Sequence, residues 1–295
     1  MWYIQVILKF FQNFQKICKH RDRRNNILGE LNRKGKQSMD LKTKKVFLMD
    51  MDGTFYLGNK VFPGSLDFID RLQKKGKSFY FLTNNSSRDA NYYALKLTNM
   101  GLKTIHKSQI ITSGEICAWY LQRLKPNGRV YLLGTKELER DFLKVGLISV
   151  QNNPDFIVLG FDKTLTYHKL ERACFFIRQG IPFFATHPDI NCPTENGPIP
   201  DTGSMIKMIE ESTKISPKIF GKPYPEVIEY IMHRTQSTRE DIVMIGDRLY
   251  TDIAMGKKSG VTTVLVLTGE TQKIDVNSSP WQPDYIFPSL NDIDF

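Results

Sequence analysis

From Lys44 onward, short apolar runs alternate with segments of helical character, and this alternation limits the fold more than any other feature. The run KKVFLMD ends in an acidic residue, a helical stretch follows Pro63, and the run SFYFLTNN comes next. Continuous apolar runs of this length are typical of strands buried on both faces of a parallel sheet. Because the order is strand, helix, strand, the sequence predicts a right-handed βαβ unit.

The alternation continues through the rest of the chain without a repeat of fixed period. Further strands are predicted at RVYLLG, DFIVLGF, IPFFATH, KIFGK, DIVMIGD and VTTVLVL. We therefore predict an α/β fold with a doubly wound parallel-sheet core, formed by residues 39–124 and 215–295. Residues 125–214 would form an inserted α/β cap domain, an arrangement that is common because the ends of a domain often lie close together.

Positive charge is concentrated at the N-terminus. Residues 1–38 hold nine Lys/Arg and two Asp/Glu, a net charge of +7 out of the +10 of the whole chain. Residues 39–295 are thus nearly balanced, and we expect no nucleic-acid partner for them. Apolar residues at helical spacing in the first 26 positions are compatible with an amphipathic helix on an anionic membrane surface. The alternative is that the functional chain begins at Met39 and that residues 1–38 are a dispensable extension.

The cysteines and the hydropathy indicate a cytoplasmic protein. None of the four cysteines forms a C-x-x-C pair, and no His–Cys cluster has the spacing of a zinc site. Reduced thiols are typical of cytosolic proteins. No segment reaches the roughly 18–20 apolar residues that a membrane span needs.

Two acidic residues follow the first predicted strand, in Asp50-Met51-Asp52-Gly53-Thr54. Ligands of open parallel sheets bind beyond the carboxyl ends of the strands. Since positions i and i+2 of an extended chain point the same way, Asp50 and Asp52 could face one crevice. A carboxylate can attack phosphorus, and a second carboxyl group can protonate the leaving oxygen. The alternative is a solvated acidic turn.

Two further segments carry groups that suit a phosphate. Thr83 and Asn84 end the strand SFYFL, where hydroxyl, amide and backbone N–H groups could hold an anion. The alternative for them is helix capping. Lys222 lies beside Pro223, which stiffens its loop, so its ammonium could stabilise charge on a transferring phosphoryl group. The alternative is an ordinary solvated lysine.

The last acidic segment, Gly246-Asp247-Arg248-Leu249-Tyr250-Thr251-Asp252, follows the strand DIVMI. Mg²⁺ prefers oxygen ligands and commonly uses one or two carboxylates together with substrate phosphate. Asp247 could therefore bind the metal directly, and Asp252 could orient waters or Lys222. The alternative for Asp252 is a carboxylate stabilised by the start of a helix.

In this order, DMDGT, TNNS, GKP and GDRLYTDI resemble the four motifs of the haloacid dehalogenase phosphatases. The cap between the second and third motifs resembles the class IIA branch, which includes nitrophenyl, pyridoxal and phosphoglycolate phosphatases. The likeness covers about residues 44–290, and TFYLG, THPD and GPIPDTGS also resemble that branch. Tyr250 stands where many relatives carry Asp, which puts a supporting contact in question, and residues 1–38 match nothing in the family.

The resemblance implies a Mg²⁺-dependent phosphatase with a small phosphomonoester as substrate. The implied roles are Asp50 as nucleophile, Asp52 as general acid and base, Thr83, Asn84 and Lys222 as phosphate ligands, Asp50, the Asp52 carbonyl and Asp247 as metal ligands, and Asp252 as support. Caps of this type often form dimers, so the resemblance also implies a possible homodimer.

Three alternatives to a phosphatase remain open. A phosphotransferase of the same superfamily would deliver the phosphoryl group to an alcohol instead of water. A regulator that binds a phosphometabolite without turnover would not need both Asp50 and Asp52. An adaptor acting through the basic N-terminal arm is disfavoured by the balanced charge of residues 39–295.

The segment after the run IPFF is a candidate for substrate selection by the cap. His187, Asp189 and Asn191 alternate along it, and two prolines restrict its conformations. We expect some of these side chains to face the crevice above Asp50 and to contact the leaving group. The alternative is a structural turn in which they bond to nearby backbone.

Overall fold

A computed structural model of the chain describes residues 41–194 and 196–295. The chain divides into Met1–Asp40 and Leu41–Phe295. The predictions made for residues 1–38 therefore lie outside the described residues. Within the described part, no helix combines the length and the apolar character that crossing a membrane requires.

The described residues form short strands and helices that alternate along the chain. The strands are β1 (Val46–Met49), β2 (Tyr56–Leu57), β3 (Lys60–Val61), β4 (Ser78–Thr83), β5 (Ile110–Thr112), β6 (Arg129–Leu133), β7 (Ile148–Ser149), β8 (Phe156–Leu159), β9 (Phe183–Ala185), β10 (Asn191–Cys192), β11 (Ile199–Pro200), β12 (Lys218–Ile219), β13 (Ile242–Gly246), β14 (Thr262–Val266) and β15 (Tyr285–Phe287). The helices are α1 (Ser65–Lys74), α2 (Ala90–Asn99), α3 (Ser113–Leu124), α4 (Lys136–Lys144), α5 (Tyr167–Arg178), α6 (Thr202–Thr213), α7 (Glu226–Thr235), α8 (Ala254–Ser259) and α9 (Asp275–Ser278).

The larger sheet contains six strands of the described chain, in the order β15, β14, β13, β1, β4, β5, and all its pairs are parallel. Apolar side chains cover both faces of β1, which lies in the interior of this sheet. Phe47 and Met49 belong to one apolar cluster, which includes Phe68 of α1, whereas Leu48 belongs to another, which includes Ile231 of α7. Burial on both faces explains why the strand is an uninterrupted apolar run.

The winding of the larger sheet reverses at β1. The chain runs from β1 to β4 and β5 on one side, and it later returns to β13 on the other side of β1 before continuing to β14 and β15. Met49 is in register with both Phe81 and Ile245, so the residues that follow β1, β4 and β13 meet at one edge. This confirms the predicted doubly wound α/β core, and it places Asp50 where such sheets bind ligands.

The smaller sheet is a five-stranded parallel sheet within the described residues, in the order β12, β9, β8, β6, β7. The predicted cap ended at residue 214, but Ile219 of β12 pairs with Ala185 of β9, so this sheet extends beyond that boundary. The short run KIF resembles the strands of the larger sheet in sequence. Only its pairing with β9 shows that it belongs to the smaller sheet. Asn191–Cys192 pairs with Ile199–Pro200 as a short antiparallel hairpin.

Candidate active site

Asp50 lies directly after β1 and faces Lys222, which is 172 positions away in the sequence. Its backbone N–H donates to the carbonyl of Ile245 at 2.9 Å, which continues the pairing of β1 with β13 and fixes where the side chain starts. Lys222 Nζ lies 2.5 Å from Asp50 Oδ1 and 2.7 Å from Asp252 Oδ1. All three side chains are buried. The lysine therefore bridges two carboxylates at the switch point of the larger sheet.

Negative charge exceeds positive charge in this cluster. Among the described residues, Asp50, Asp247 and Asp252 each offer a carboxylate oxygen, and these oxygens lie within 4.8 Å of one another. Burial, with further contributions from Asp252 and Asp247, raises the pKa of Asp50 to about 7. Burial and the charge of Asp252 raise the pKa of Asp247 to about 6. Although burial lowers the pKa of Lys222, the carboxylates of Asp252 and Asp50 outweigh it and raise that pKa.

The acidic cluster fits a hard divalent cation. Buried carboxylate oxygens that converge on one point, with too little positive charge to balance them, are suitable ligands for such an ion. Asp247 is held in place because Thr54 Oγ1 donates to its Oδ1 at 3.1 Å and the Glu270 N–H donates to its Oδ2 at 2.8 Å. A Cβ at Gly53, where φ is 88°, would lie 2.4 Å from Asp247 Oδ2, so a side chain there would displace the carboxylate. The sequence assigned Asp252 only a supporting position, whereas the structure brings its carboxylate into the cluster.

Asp52 lines the same cavity as Asp50 and is only partly buried. Burial raises the pKa of the Asp52 carboxyl, and the nearby charges of Lys96 and Arg248 oppose this rise in part. A carboxyl group with a raised pKa holds its proton more firmly than an exposed aspartate does, which suits a proton donor.

The side chain of Asn84 is bound to the loop of Lys222. Its Oδ1 accepts from the Lys222 N–H at 2.8 Å, and its Nδ2 donates to the Lys222 carbonyl at 2.9 Å and to Asp189 Oδ1 at 3.0 Å. The sequence suggested that Asn84 contacts phosphate, but both amide protons already have acceptors. Thr83, the other predicted phosphate ligand of this segment, lines the cavity, and its Oγ1 accepts from the Asn85 N–H at 3.1 Å.

The structure separates the three residues predicted to select the substrate. Asp189 and Asn191 line the cavity beside Asp50. His187 has 0% exposure, its Nε2 lies 2.9 Å from Asp201 Oδ1, and its Nδ1 lies 2.9 Å from Thr186 Oγ1. Burial lowers the pKa of His187, but the Asp201 carboxylate outweighs it and raises that pKa. The imidazole of His187 is buried and both of its ring nitrogens have hydrogen-bond partners, so it does not face the cavity. The alternative of a structural turn therefore describes His187 better than substrate selection does.

The cavity has a volume of about 270 Å³, and it is lined by positively charged side chains that were not predicted from the sequence. Arg88, Lys96, Lys163 and Arg248 line it together with Lys222. Arg248 could have been found, because it follows Asp247 inside the last motif. The other three come from α2, from the turn before it and from the loop after β8, and no local pattern marks them.

Comparisons with known proteins agree with this description. A haloacid dehalogenase-like hydrolase family model matches residues 47–148, and a HAD-hydrolase-like model matches residues 219–293. The acid sugar phosphatase of Staphylococcus saprophyticus is 32% identical over 254 residues, which cover 86% of this chain and 98% of the relative. The 4-nitrophenylphosphatase of Thermotoga maritima is 46% identical, with a TM-score of 0.82 over 85% of this chain and 96% of that chain.

A third relative was solved with metal ions. The glycerol phosphate phosphatase of Mycobacterium tuberculosis in complex with magnesium is 30% identical, with a TM-score of 0.79 over 84% of this chain and 75% of that chain. It was also solved with calcium.

The fold and the site define a doubly wound α/β enzyme with an acidic centre at its switch point. The chain belongs to the haloacid dehalogenase superfamily of hydrolases, in its NagD-like class IIA branch. It is a phosphatase that acts on phosphorylated substrates, and enzymes of this family use a divalent metal ion.

Proposed function

We propose that this phosphatase is Mg²⁺-dependent and hydrolyses a small phosphorylated metabolite through an aspartyl-phosphate on Asp50. The observation that carries the proposal is the buried Asp50 carboxylate at the cavity wall, 2.5 Å from Lys222 and clustered with Asp247 and Asp252. The names of two relatives, acid sugar phosphatase and glycerol phosphate phosphatase, support a sugar or polyol phosphate as substrate.

The first half of the reaction transfers the phosphoryl group to the enzyme. Lys222, Arg248 and the hydroxyl of Thr83 bind the phosphate oxygens and offset their charge. An Asp50 carboxylate oxygen attacks phosphorus in line, and the bond between phosphorus and the leaving oxygen breaks. Asp52 donates its proton to that oxygen, so the product leaves as an alcohol.

The second half returns the enzyme to its starting state. Asp52, now a carboxylate, takes a proton from a water molecule whose oxygen attacks phosphorus. The bond from phosphorus to Asp50 breaks, inorganic phosphate leaves, and Asp52 is again protonated. Positioning and charge stabilisation would supply most of the rate enhancement.

Asp50, Asp247 and the backbone carbonyl of Asp52 would hold Mg²⁺, with Asp252 close by to orient Lys222. When bound, the ion supplies positive charge next to the phosphate oxygens. Asn84 would support the site through the backbone of Lys222. The smaller sheet would act as a cap that excludes water and contacts the leaving group.

The cytoplasmic location and the oligomeric state of the protein are also proposals. Cys117 and Cys174 are buried free thiols, which supports the reducing environment of the cytoplasm. The homodimer implied by the family resemblance stays a prediction, and light scattering on the purified chain tests it.

A colorimetric assay with 4-nitrophenyl phosphate tests the metal dependence. We expect EDTA to abolish hydrolysis and added Mg²⁺ to restore it, with Ca²⁺ a poor substitute because it prefers more ligands at longer distances. Nitrophenol and inorganic phosphate should form in equal amounts even with glycerol present, whereas a phosphotransferase would release less phosphate than nitrophenol. Full activity in a metal-stripped sample would refute the proposed metal dependence.

A further inference from the structure

A second cavity, of about 560 Å³, lies at the carboxyl edge of the smaller sheet. The chain runs from β6 to β7 on one side and then returns to β8 on the other side of β6, so the winding of this sheet also reverses. Gly134 and Thr135 follow β6, Lys163 and Thr164 follow β8, and all four line the cavity. Open α/β sheets bind ligands at such a reversal. The cap therefore has a crevice where a ligand is expected.

The second cavity shares a wall with the catalytic cavity. Ser87, Arg88 and Lys163 line both. Ser87 and Arg88 follow the strand that ends in Thr83, whereas Lys163 belongs to the smaller sheet. These three residues form a junction between the two cavities, and a leaving group that extends from Asp50 toward the second cavity would contact them.

Positive charge predominates around the second cavity. Its described lining includes the cations Arg88, Lys136, Arg140, Lys163 and Lys169 and the anions Glu137 and Glu139. Glu137 lies 3.3 Å from Arg88 and 3.7 Å from Arg140, and Lys169 pairs with the buried Asp162 at 2.8 Å. Within residues 41–194 and 196–295, the ammonium of Lys163 has no hydrogen bond or ion pair. The junction therefore presents a positive charge that the described protein does not balance.

We propose that the natural substrate is a phosphomonoester whose leaving group carries a second anionic group, a carboxylate or a phosphate, and that Lys163 with Arg88 binds this group at the junction. The inference rests on the proposed function and specifies its substrate class. Lys163 is exposed, and exposed ion pairs are weak. The expected contribution is accordingly about fivefold in kcat/KM, a specificity effect and not a catalytic one.

Pairs of sugar phosphates without and with a second anionic group test the proposal. The probes are glucose 6-phosphate against 6-phosphogluconate, and fructose 6-phosphate against fructose 1,6-bisphosphate. We expect the wild type to prefer at least one charged partner in kcat/KM. Lys163→Ala should lower that preference about fivefold, and Lys163→Arg should retain it. Lys207→Ala, which removes an exposed lysine of α6 that lines neither cavity, should leave it unchanged.

The outcomes separate this inference from the proposed function. If Lys163→Ala lowers the kcat/KM preference within both pairs, the site recognises negative charge in general. If it lowers the preference within one pair only, that pair identifies the recognised group as the carboxylate or the phosphate. Hydrolysis of 4-nitrophenyl phosphate, which lacks the second group, should change less in Lys163→Ala than hydrolysis of the preferred charged ester does. An unchanged preference in Lys163→Ala, or a wild type that prefers no charged partner, would overturn the inference while leaving the phosphatase intact. A wild type that hydrolyses none of these esters would overturn the proposed function itself.

Discussion

At the level of single residues, the centre of the site is a charge imbalance. Three buried carboxylates, Asp50, Asp247 and Asp252, share the ammonium of Lys222. These carboxylates repel an entering phosphate dianion, and further positive charge, from Arg248 or from a bound divalent ion, would offset the repulsion. Burial raises the pKa values of Asp50 and Asp247, and the neighbouring carboxylate charges add to the rise. The cluster therefore suits the divalent metal ion that enzymes of this family use.

Asn84 gives the sharpest prediction at this level. In Asn84→Asp the side chain can no longer donate to the Lys222 carbonyl, and it places a negative charge beside Asp189. We expect kcat for 4-nitrophenyl phosphate to fall about 10²-fold, because a small displacement of a charge-stabilising group has effects of that size. KM should change much less, since the other phosphate contacts remain.

Asp189→Ala is the matched control for Asn84. It removes the bond to the cap but leaves both bonds from Asn84 to Lys222, so kcat should fall much less than in Asn84→Asp. Thermal denaturation of each variant separates loss of fold from loss of position. A kcat near the wild-type value in folded Asn84→Asp would show that Asn84 positions nothing that matters.

The sequence predicted which acidic residues and which lysine come together, but not how they are held. Asp50 and Asp247 follow β1 and β13, neighbouring parallel strands whose carboxyl ends meet at one edge, whereas Lys222 follows β12 of the smaller sheet. By contrast, the bonds from Asn84 to Lys222 join residues 138 positions apart. Local patterns cannot show such a partnership, and capping and anion binding are equally compatible with the segment TNNS.

At the level of elements, the segment from Ala185 to Pro193 contains both a buried side chain and side chains that line the cavity. It leaves β9, passes through the buried His187, and then presents Asp189 and Asn191 to the cavity. Alternation along the segment was a correct guide for Asp189 and Asn191. It failed for His187, because the imidazole is hydrogen-bonded to Asp201 at the start of α6 and is buried there.

The two ends of this segment are expected to respond differently to mutation. His187→Ala removes the ring that pairs with the buried Asp201 and should cost about 1–3 kcal/mol of unfolding free energy, with equal proportional losses on all substrates. Asn191→Ala should leave stability unchanged but alter the ratio of kcat/KM between a sugar phosphate and 4-nitrophenyl phosphate. Urea denaturation and the two kinetic measurements check this. Reordered substrates in a fully stable His187→Ala variant would contradict the assignment.

The strands that the sequence did not predict are short. β5, β7 and β15 contain two or three residues each, too few for an alternating or continuous apolar pattern to be distinguished from a loop. The two-residue strand β12 was found, but its sheet was not, because pairing between distant segments decides it. Longer apolar runs such as SFYFLT and IVMI were recognised as strands because their residues are buried on both faces of the sheet.

At the level of the whole molecule, two parallel sheets contribute to one cleft. Asp50 follows β1 of the larger sheet, and Lys163 follows β8 of the smaller one, yet both line the same cavity. The strands of the smaller sheet lie between β5 and β13 along the chain, so this sheet is an insertion in the larger one. Such an insertion could vary the contacts to the leaving group while the catalytic edge stays fixed.

The claim that joins these levels is that Asp50 carries the phosphoryl group during turnover. In Asp52→Asn the general acid and base is lost. Nitrophenolate leaves without needing a proton, so 4-nitrophenyl phosphate can still phosphorylate Asp50, whereas the water that removes the group loses its base. The phosphorylated enzyme should therefore accumulate, with Mg²⁺ present, and be detectable by intact-mass spectrometry and peptide mapping.

We expect one phosphoryl group on the peptide that contains Asp50 in the Asp52→Asn variant. We expect no such group when Asp50→Asn is added, and a loss of at least about 10³-fold in the rate of Asp50→Asn alone. A chain that stays unmodified while it turns over, a phosphoryl group on another residue, or an Asp50→Asn variant that retains about a tenth of the wild-type rate would contradict that claim.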